Sequence, residues 1–322
     1  MLLFLPAIAF LFHPARAVAQ TRNLLPPELT SPVPTAPGTG ATLSPDSTLV
    51  PPPPPPPPPS PAQAVPMVSP GQVALAVSAR YGRDAPAING GVVWRVYNAR
   101  PDAAGAYRLV KEDRTVSPTF VLPPGSYVVH ASLGLASAAK AVQLRSETVR
   151  EVFEIPAGAI RLEGRVGGVR IPSGQISFDI FAGSQFNTAE RRPIAHAVMT
   201  GDVVLLPEGT YYIVSNYGDG NSVVRSDVRV QTAKLTDVVV NHRAALITLK
   251  LVNDSQGEAL ANTQWTVLTP GGDVIKESIG AFPRVVLAEG DYHVIARNEG
   301  KTFQRDFKVN SGVDGEVEVL AR

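Results

Sequence analysis

The amino-acid sequence predicts an all-β protein in which three tandem antiparallel β-sandwiches follow a disordered proline-rich segment. The main observation is a motif that occurs as Leu122-Pro-Pro-Gly-Ser-Tyr127, as Leu206-Pro-Glu-Gly-Thr-Tyr211 and as Leu287-Ala-Glu-Gly-Asp-Tyr292. After Pro70, short runs of alternating apolar residues are separated by glycine-rich turns, which is typical of strands with one buried face. Recurrence at a regular interval indicates one structural unit that is present three times.

Residues 1–19 have features of a secretory signal peptide. An apolar run over Met1–Phe12 is followed by Ala15, Ala17 and Ala19, the small-residue spacing that a signal peptidase recognises. The run is shorter than the roughly 20 residues that a membrane span requires, although the basic residue that usually precedes the apolar core is missing. We predict cleavage after Ala17 or Ala19 and a periplasmic or extracellular protein without a transmembrane span in its mature form. A retained anchor and a misplaced start codon are the alternatives.

The segment over residues 20–70 is predicted to be a tether. It contains 18 of the 31 prolines, including an unbroken run over residues 51–59. Proline lacks the amide donor that sheets and helices need, and nine consecutive prolines in a polyproline II helix extend roughly 28 Å. A ligand for a proline-recognition domain is the alternative interpretation of this run.

Composition excludes several classes of function. The chain has 29 Lys and Arg against 28 Asp and Glu, without long blocks of one sign, which argues against nucleic-acid binding. The absence of cysteine excludes disulfides, thiolate metal sites and a cysteine-linked lipid anchor. The five histidines are scattered, and the common nucleophile and phosphate-binding motifs are missing. We therefore predict that the protein is not an enzyme and has neither a cofactor nor a metal ion.

Each repeat begins with a strand in which apolar and polar residues alternate. The apolar residues are Val73, Leu75 and Val77 in the first repeat, Ile160, Leu162 and Val166 in the second, and Ile247, Leu249 and Leu251 in the third. The intervening polar residues are expected to face water. The three sandwiches are placed at residues 71–157, 158–243 and 244–322.

An aromatic residue marks the predicted centre of each core. It is flanked at a spacing of two by aliphatic or small residues, as Val92-x-Trp94-x-Val96, Ile176-x-Phe178-x-Ile180 and Thr263-x-Trp265-x-Val267. Side chains alternate across a strand, so the three members of each triplet face the same side. We predict that this side is the buried one.

The recurring Leu-x-x-Gly-x-Tyr motif predicts a turn followed by a strand. Its structural residues are Gly125 and Tyr127, Gly209 and Tyr211, and Gly290 and Tyr292. The order Pro124-Gly125 is typical of a type II turn, in which glycine takes a positive φ. The tyrosine hydroxyl is expected to bond back to the turn backbone, as in the tyrosine corner of Ig-like sandwiches. A second glycine turn follows each of these strands, at Gly134, Gly218 and Gly300.

These motifs resemble transthyretin-like or prealbumin-like sandwiches, including carboxypeptidase regulatory-like modules, in which a similar turn precedes a similar strand. The resemblance extends over about residues 72–322, is strongest in the first repeat and departs from the pattern at Ala288 in the third. It concerns Ig-like architecture only. The family implies a non-catalytic accessory or interaction module in an exported protein, and no catalytic residue is transferred from it.

One connection in the second repeat is the predicted partner-binding loop. The segment over residues 182–198 is longer than a tight hairpin needs and mixes aromatic, polar and charged residues. Its candidate contact residues are Phe186, Asn187, Glu190, Arg191 and Arg192. The predicted function is a non-enzymatic scaffold or interaction protein of the cell envelope, with a protein or cell-wall partner. A glycan-binding protein is the alternative, and an enzyme with a site at a module junction is the third possibility.

Overall fold

The structure, a computed structural model, describes residues 18–23, 68–103, 105–186 and 192–322, with the backbone alone for residues 18–23. These residues form 23 strands in six sheets and contain no helix. The predicted all-β class is confirmed. Most of the predicted signal peptide and tether lies outside the described residues.

The first β-sandwich, module 1, has two sheets of three and four strands. Its strands are β2 (Val73–Arg80), β3 (Val92–Asn98), β4 (Leu109–Asp113), β5 (Thr119–Leu122), β6 (Gly125–Leu133), β7 (Ala136–Leu144) and β8 (Val149–Glu154). They follow β1 (Val18–Asn23) in the chain. The sheet orders are β5-β2-β8 and β4-β3-β6-β7. The predicted antiparallel pairing holds except for one pair, since β8 crosses over from the other sheet and lies parallel to β2.

Modules 2 and 3 repeat this topology. The strands of module 2 are β9 (Ala157–Val166), β10 (Val169–Arg170), β11 (Ile176–Ala182), β12 (Ala195–Met199), β13 (Val203–Pro207), β14 (Gly209–Tyr217), β15 (Ser222–Val230) and β16 (Lys234–His242). Those of module 3 are β17 (Ala244–Val252), β18 (Gln264–Leu268), β19 (Val274–Ile279), β20 (Arg284–Ala288), β21 (Gly290–Asn298), β22 (Lys301–Val309) and β23 (Gly315–Leu320). In both modules the first strand again pairs parallel with the last.

The predicted aromatic triplets form the centres of three hydrophobic cores. Trp94, Phe178 and Trp265 are all buried, and so are the residues that flank them at a spacing of two, including Thr263 just before β18. The indole nitrogens of Trp94 and Trp265 donate hydrogen bonds to the carbonyl oxygens of Thr115 (3.1 Å) and Gly280 (2.9 Å), which satisfies the one polar atom of each ring. Of the apolar residues predicted to be buried in the opening strands, Val166 alone is half-buried.

The predicted type II turn is wrong. Gly125 and Gly209 do not have a positive φ; each is the first residue of an extended strand, paired with Leu144 and Val230 respectively. These glycines lie under the tyrosine two residues later, and a Cβ on Gly125 would contact that ring at 3.4 Å. The motif therefore uses glycine as a small residue beneath an aromatic ring. Positive φ occurs in the second glycine turns, at Gly134, Gly218 and Gly300.

The tyrosine hydroxyls bond back to the chain four residues earlier in all three modules. Tyr127 donates to the carbonyl oxygen of Pro123 at 3.0 Å, and Tyr211 to that of Pro207 at 2.9 Å. Tyr292 makes the same bond to Ala288 at 2.8 Å. Burial raises the pKa of these three hydroxyls above the ordinary value near 10, so they remain protonated donors even at alkaline pH.

We predict that Tyr211→Phe lowers the free energy of unfolding of module 2 by about 0.5–1.5 kcal/mol, the usual net contribution of one such bond. Thermal or chemical unfolding of the purified protein measures this loss. Partner binding should be unchanged in the same variant, because the hydroxyl faces the turn. Lost binding with unchanged stability would instead assign Tyr211 to a binding surface.

The modules contact each other end to end through the second glycine turn. Gly134 lies against Leu205 of β13, where a Cβ would be 2.6 Å from the Leu205 Cβ, and the amide of Leu135 donates to the Leu205 carbonyl at 3.0 Å. Gly218 lies in the same way against Val286 of β20, which packs into the core of module 2. Each junction therefore closes the end of one module with a strand of the next.

The structure differs from the predicted tether at its N-terminal end. Strand β1 pairs antiparallel with β16 of module 2, from Val18 opposite Val239 to Asn23 opposite Lys234. An edge strand presents unpaired amide and carbonyl groups, and an extended segment of the same chain satisfies them. This pairing overlaps the end of the predicted signal peptide and the first residues of the predicted tether.

Candidate interaction loop of module 2

The predicted partner loop connects β11 to β12. Of its candidate residues, Phe186 and Arg192 are among the described residues, whereas Asn187, Glu190 and Arg191 lie outside them. The sequence predicted a long surface connection. The structure shows how the two ends of this loop, its N-terminal and C-terminal bases, are attached to the four-stranded sheet.

The N-terminal base of the loop is fixed by Asp227 on β15. The Asp227 carboxylate accepts a hydrogen bond from the Ser184 hydroxyl at 2.5 Å and another from the Gln185 amide at 2.9 Å. The Phe186 amide in turn donates to the Ser184 hydroxyl oxygen at 3.3 Å, and the Gly183 amide donates to a carbonyl of β14 at 2.8 Å. Bonds to a carboxylate are stronger than neutral ones, so this base is well ordered.

The C-terminal base is fixed by Asp179 on β11. Its carboxylate accepts from the Ala197 amide at 3.0 Å and lies 2.6 Å from Nδ1 of His196, whose side chain is 75% exposed. Ala197 has a φ of 53°, an unusual conformation for a residue with a side chain, and the strand register shifts between Phe178 and Ile180 beside it. This β-bulge turns the chain away from the sheet, as bulges next to functional loops often do.

Phe186 is the most exposed large hydrophobic side chain among the described residues, at 82%. Its backbone is held by Ser184 and, through Gln185, by Asp227. The loop base therefore holds an apolar ring out in water, which makes Phe186 the candidate contact residue of this loop.

The sequence did not single out an aromatic pair beside the loop. Phe181 on β11 and Tyr212 on β14 are cross-strand partners, with ring centroids 4.6 Å apart and planes only 6° from parallel. Both are half-buried on the outer face of the sheet, and Tyr212 is also opposite Asp227. The sequence feature that could have indicated this pair is the second of two consecutive tyrosines, Tyr211 and Tyr212. The position of Tyr212 is occupied by Val128 in module 1 and by His293 in module 3.

The loop and the aromatic pair are linked through Asp227, which holds the loop base and is the strand partner of Tyr212. We name Phe181, Phe186 and Tyr212 together the module 2 aromatic surface. Apolar and aromatic contact is the chemistry that it offers. Over the part of the chain that the structure describes, no group of three or more His, Asp or Glu side chains is arranged to hold a metal ion. In the same residues, no helix is long and apolar enough to cross a membrane.

Comparison with known proteins identifies a repeat. A protein-family model described as the Rhizobiales growth-associated tandem repeat domain matches residues 246–321, which lie within module 3. The comparison with curated proteins finds no match. The family match and the fold together support a β-sandwich repeat architecture. The finer resemblance to transthyretin-like sandwiches stays a prediction.

The solved structures with distant similarity include two that are described as pilins. The TIE protein of Bacillus anthracis is 14% identical with a TM-score of 0.23, over 77% of this chain and 51% of that chain. The minor pilin GBS52 of Streptococcus agalactiae is 17% identical with a TM-score of 0.28, over 52% of this chain and 94% of that chain. The major pilin subunit BcpA of Bacillus cereus is 10% identical with a TM-score of 0.21, over 78% and 99%. Similarity at this level does not establish a shared function.

Proposed function

We propose that this protein is a non-enzymatic, exported scaffold of the cell envelope that binds a protein partner through the module 2 aromatic surface. The observation that carries the proposal is the 82% exposure of Phe186 on a loop base that Asp227 holds in place. The repeated modules supply a scaffold, and one of them differs from the others by carrying this surface.

Preorganisation favours binding at this surface. A partner that covers Phe186 removes apolar area from water at roughly 25 cal/mol per Å², and it does not have to order the loop bases first. Aromatic anchors of this kind often account for most of the binding energy of an interface. Asp227 and Asp179 thus act as positioning residues, each on a different strand of one sheet.

Capture of partners from an envelope fraction tests the proposal. The mature protein is the bait, and we expect Phe186→Ala to reduce recovery of a specific partner by at least roughly tenfold, as for a residue worth more than about 1.4 kcal/mol of binding. The matched control is Phe282→Ala, which removes another exposed phenylalanine, 56% exposed, from module 3. Equal recovery with the wild-type protein and with both variants would contradict the proposal.

Glycan binding remains the second candidate, because an exposed aromatic ring also suits the apolar face of a sugar. The Phe186 ring is free to offer a face, whereas Phe181 and Tyr212 each cover one face of the other. A glycan-binding protein would sediment with isolated wall polysaccharide and lose this property in Phe186→Ala. An enzyme at a module junction has less support, because Gly218 and Val286 are in direct contact at the junction of modules 2 and 3.

A further inference from the structure

A buried polar cluster lies at the end of module 2 that contacts module 3. His242, the last residue of β16, is 2% exposed. Its Nε2 lies 2.8 Å from the Ser215 hydroxyl oxygen of β14, and its Nδ1 lies 2.8 Å from the Ser222 hydroxyl oxygen of β15. Both serines are buried as well. The imidazole thus connects the last strand of one sheet with two strands of the other.

Module 1 has apolar residues at all three positions. Ser215 corresponds to Ala131, since each lies four residues after the tyrosine of the repeated motif. Ser222 corresponds to Ala136, since each pairs with the last residue of the preceding strand. His242 corresponds to Ile155, two residues before the next module's first strand. Ala131, Ala136 and Ile155 are all buried.

The module 1 set packs without any polar group, so the fold of this unit does not require a histidine. The three polar residues of module 2 also form a complete set. A buried histidine needs a hydrogen-bond partner at each ring nitrogen, and the two serines are these partners. A cluster that is dispensable for the fold yet complete in its hydrogen bonds suggests a role other than packing.

The cluster is directly connected to the junction. Arg243 follows His242 in the chain. Its carbonyl oxygen accepts a hydrogen bond from the Glu289 amide of module 3 at 2.8 Å, and its guanidinium pairs with the Glu289 carboxylate at 2.5 Å. The Tyr217 ring meets the imidazole edge to face with centroids 5.7 Å apart. Tyr217 is followed by Gly218, which contacts Val286. A change at His242 therefore affects two contacts with module 3: the pairing of Arg243 with Glu289 and the packing of Gly218 against Val286.

The surroundings favour the neutral imidazole. Burial lowers the pKa of His242 from 6.5 to about 4. The hydrogen-bond partners of the ring are two hydroxyls. The nearby titratable groups are Tyr217 on β14, Asp314 of module 3 and the paired Arg243 and Glu289. Burial raises the pKa of Tyr217, and the charge of Asp314 adds to this shift. The neutral ring donates to one serine hydroxyl and accepts from the other. When both ring nitrogens carry protons, both hydroxyls must accept, so the serine that had donated to the ring has to turn its hydrogen to a new partner.

We propose that the His242 cluster makes the junction of modules 2 and 3 acid-labile, so that protonation of His242 opens this end of module 2 while module 1 stays closed. A group with a lowered pKa in the folded state contributes stability that is complete above its unfolded pKa of 6.5 and is lost as the pH falls to about 4. Acid therefore acts on the junction in the window between these two values. This inference is independent of the partner-binding proposal.

Hydrogen exchange of the full mature chain at pH 7.5 and pH 4.5, corrected for intrinsic rates, tests it. From the two pKa values we expect the opening equilibrium of the segment 209–246 to increase roughly 70-fold at the lower pH. The corresponding segment of module 1, residues 125–157, is the internal control and should show a much smaller change. Equal protection of residues 209–246 at both pH values, or an equal loss in both segments, would overturn the proposal.

A triple variant separates the histidine from general acid effects. Ser215→Ala, Ser222→Ala and His242→Ile together install the residues of module 1, which are known to pack in this fold. We expect the variant to fold and to lose the pH-dependent opening of residues 209–246. A triple variant that opens in acid as much as the wild-type protein would overturn the proposal. If the variant does not fold, NMR titration of His242 in the wild-type protein decides, because a pKa near 6.5 would exclude the mechanism.

Discussion

Replacing Phe178 with alanine is expected to lower the free energy of unfolding of module 2 by about 3–5 kcal/mol. The ring is fully buried at the centre of the core, between Ile176 and Ile180 on the same strand face. The alanine variant loses the transfer free energy of the ring and leaves a cavity that a two-sheet core cannot fully close. Since a domain is stable by only about 5–15 kcal/mol, this is a large share of the stability of one module.

The measurement has to report on module 2 alone, because three modules need not unfold together. The two tryptophans, Trp94 and Trp265, belong to modules 1 and 3, so hydrogen exchange over residues 176–182 is the direct readout. Phe186→Ala is the matched control, since it removes the same side chain from an exposed loop and should change stability by less than about 0.5 kcal/mol. Similar losses in both variants would mean that Phe178 does not form the core.

The core could be predicted from the sequence because burial in a strand follows a period of two. Trp94 and Trp265 were assigned to the buried side from the alternation alone, and the structure buries both. The repeated motif located the strands, and it also indicated the bond from Tyr211 back to the turn, which the structure contains. These features depend on residues close together in the chain, which a sequence pattern records.

Features that depend on contacts between distant residues could not be predicted. Gly125 was expected to have a positive φ, since Pro-Gly usually forms a type II turn, but strand pairing and the Tyr127 ring place it in an extended conformation. The stack of Phe181 on Tyr212 requires the register between two strands. The same holds for Ser215, Ser222 and His242, which are ordinary residues until the fold brings them together.

The junction of modules 2 and 3 requires a glycine at position 220, because module 3 leaves no room there for a side chain. Gly220 lies against module 3 so closely that a Cβ would be 2.0 Å from the Val286 carbonyl oxygen, and its φ is not in the left-handed region. Polar contacts surround this point. Asn221 donates from its side-chain amide to the Tyr292 hydroxyl at 2.9 Å and accepts from the Ala288 amide at 2.9 Å, and Lys276 pairs with Asp219 at 2.5 Å. These contacts hold the two modules in one orientation.

We therefore expect Gly220→Ala to loosen the junction and to lower the free energy of unfolding by about 2–3 kcal/mol, because the added methyl group meets backbone that cannot rotate away. Three modules with radii of gyration of about 12 Å, arranged end to end, give a rod on the order of 100 Å. Small-angle scattering of the mature wild-type protein should show this length. The variant should show a wider distribution of distances as modules 2 and 3 separate.

Gly315→Ala is the matched control, because it adds the same methyl group in module 3 where nothing lies within 4 Å of the new Cβ. It should leave both the scattering and the stability unchanged, apart from the small conformational effect of replacing glycine. If Gly220→Ala scatters and unfolds like this control, the Val286 backbone yields without cost and the glycine contact does not fix the orientation. A compact wild-type particle would contradict the end-to-end arrangement itself, and the junction contacts at Gly134 and Gly218 would then have to be replaced by side-by-side packing.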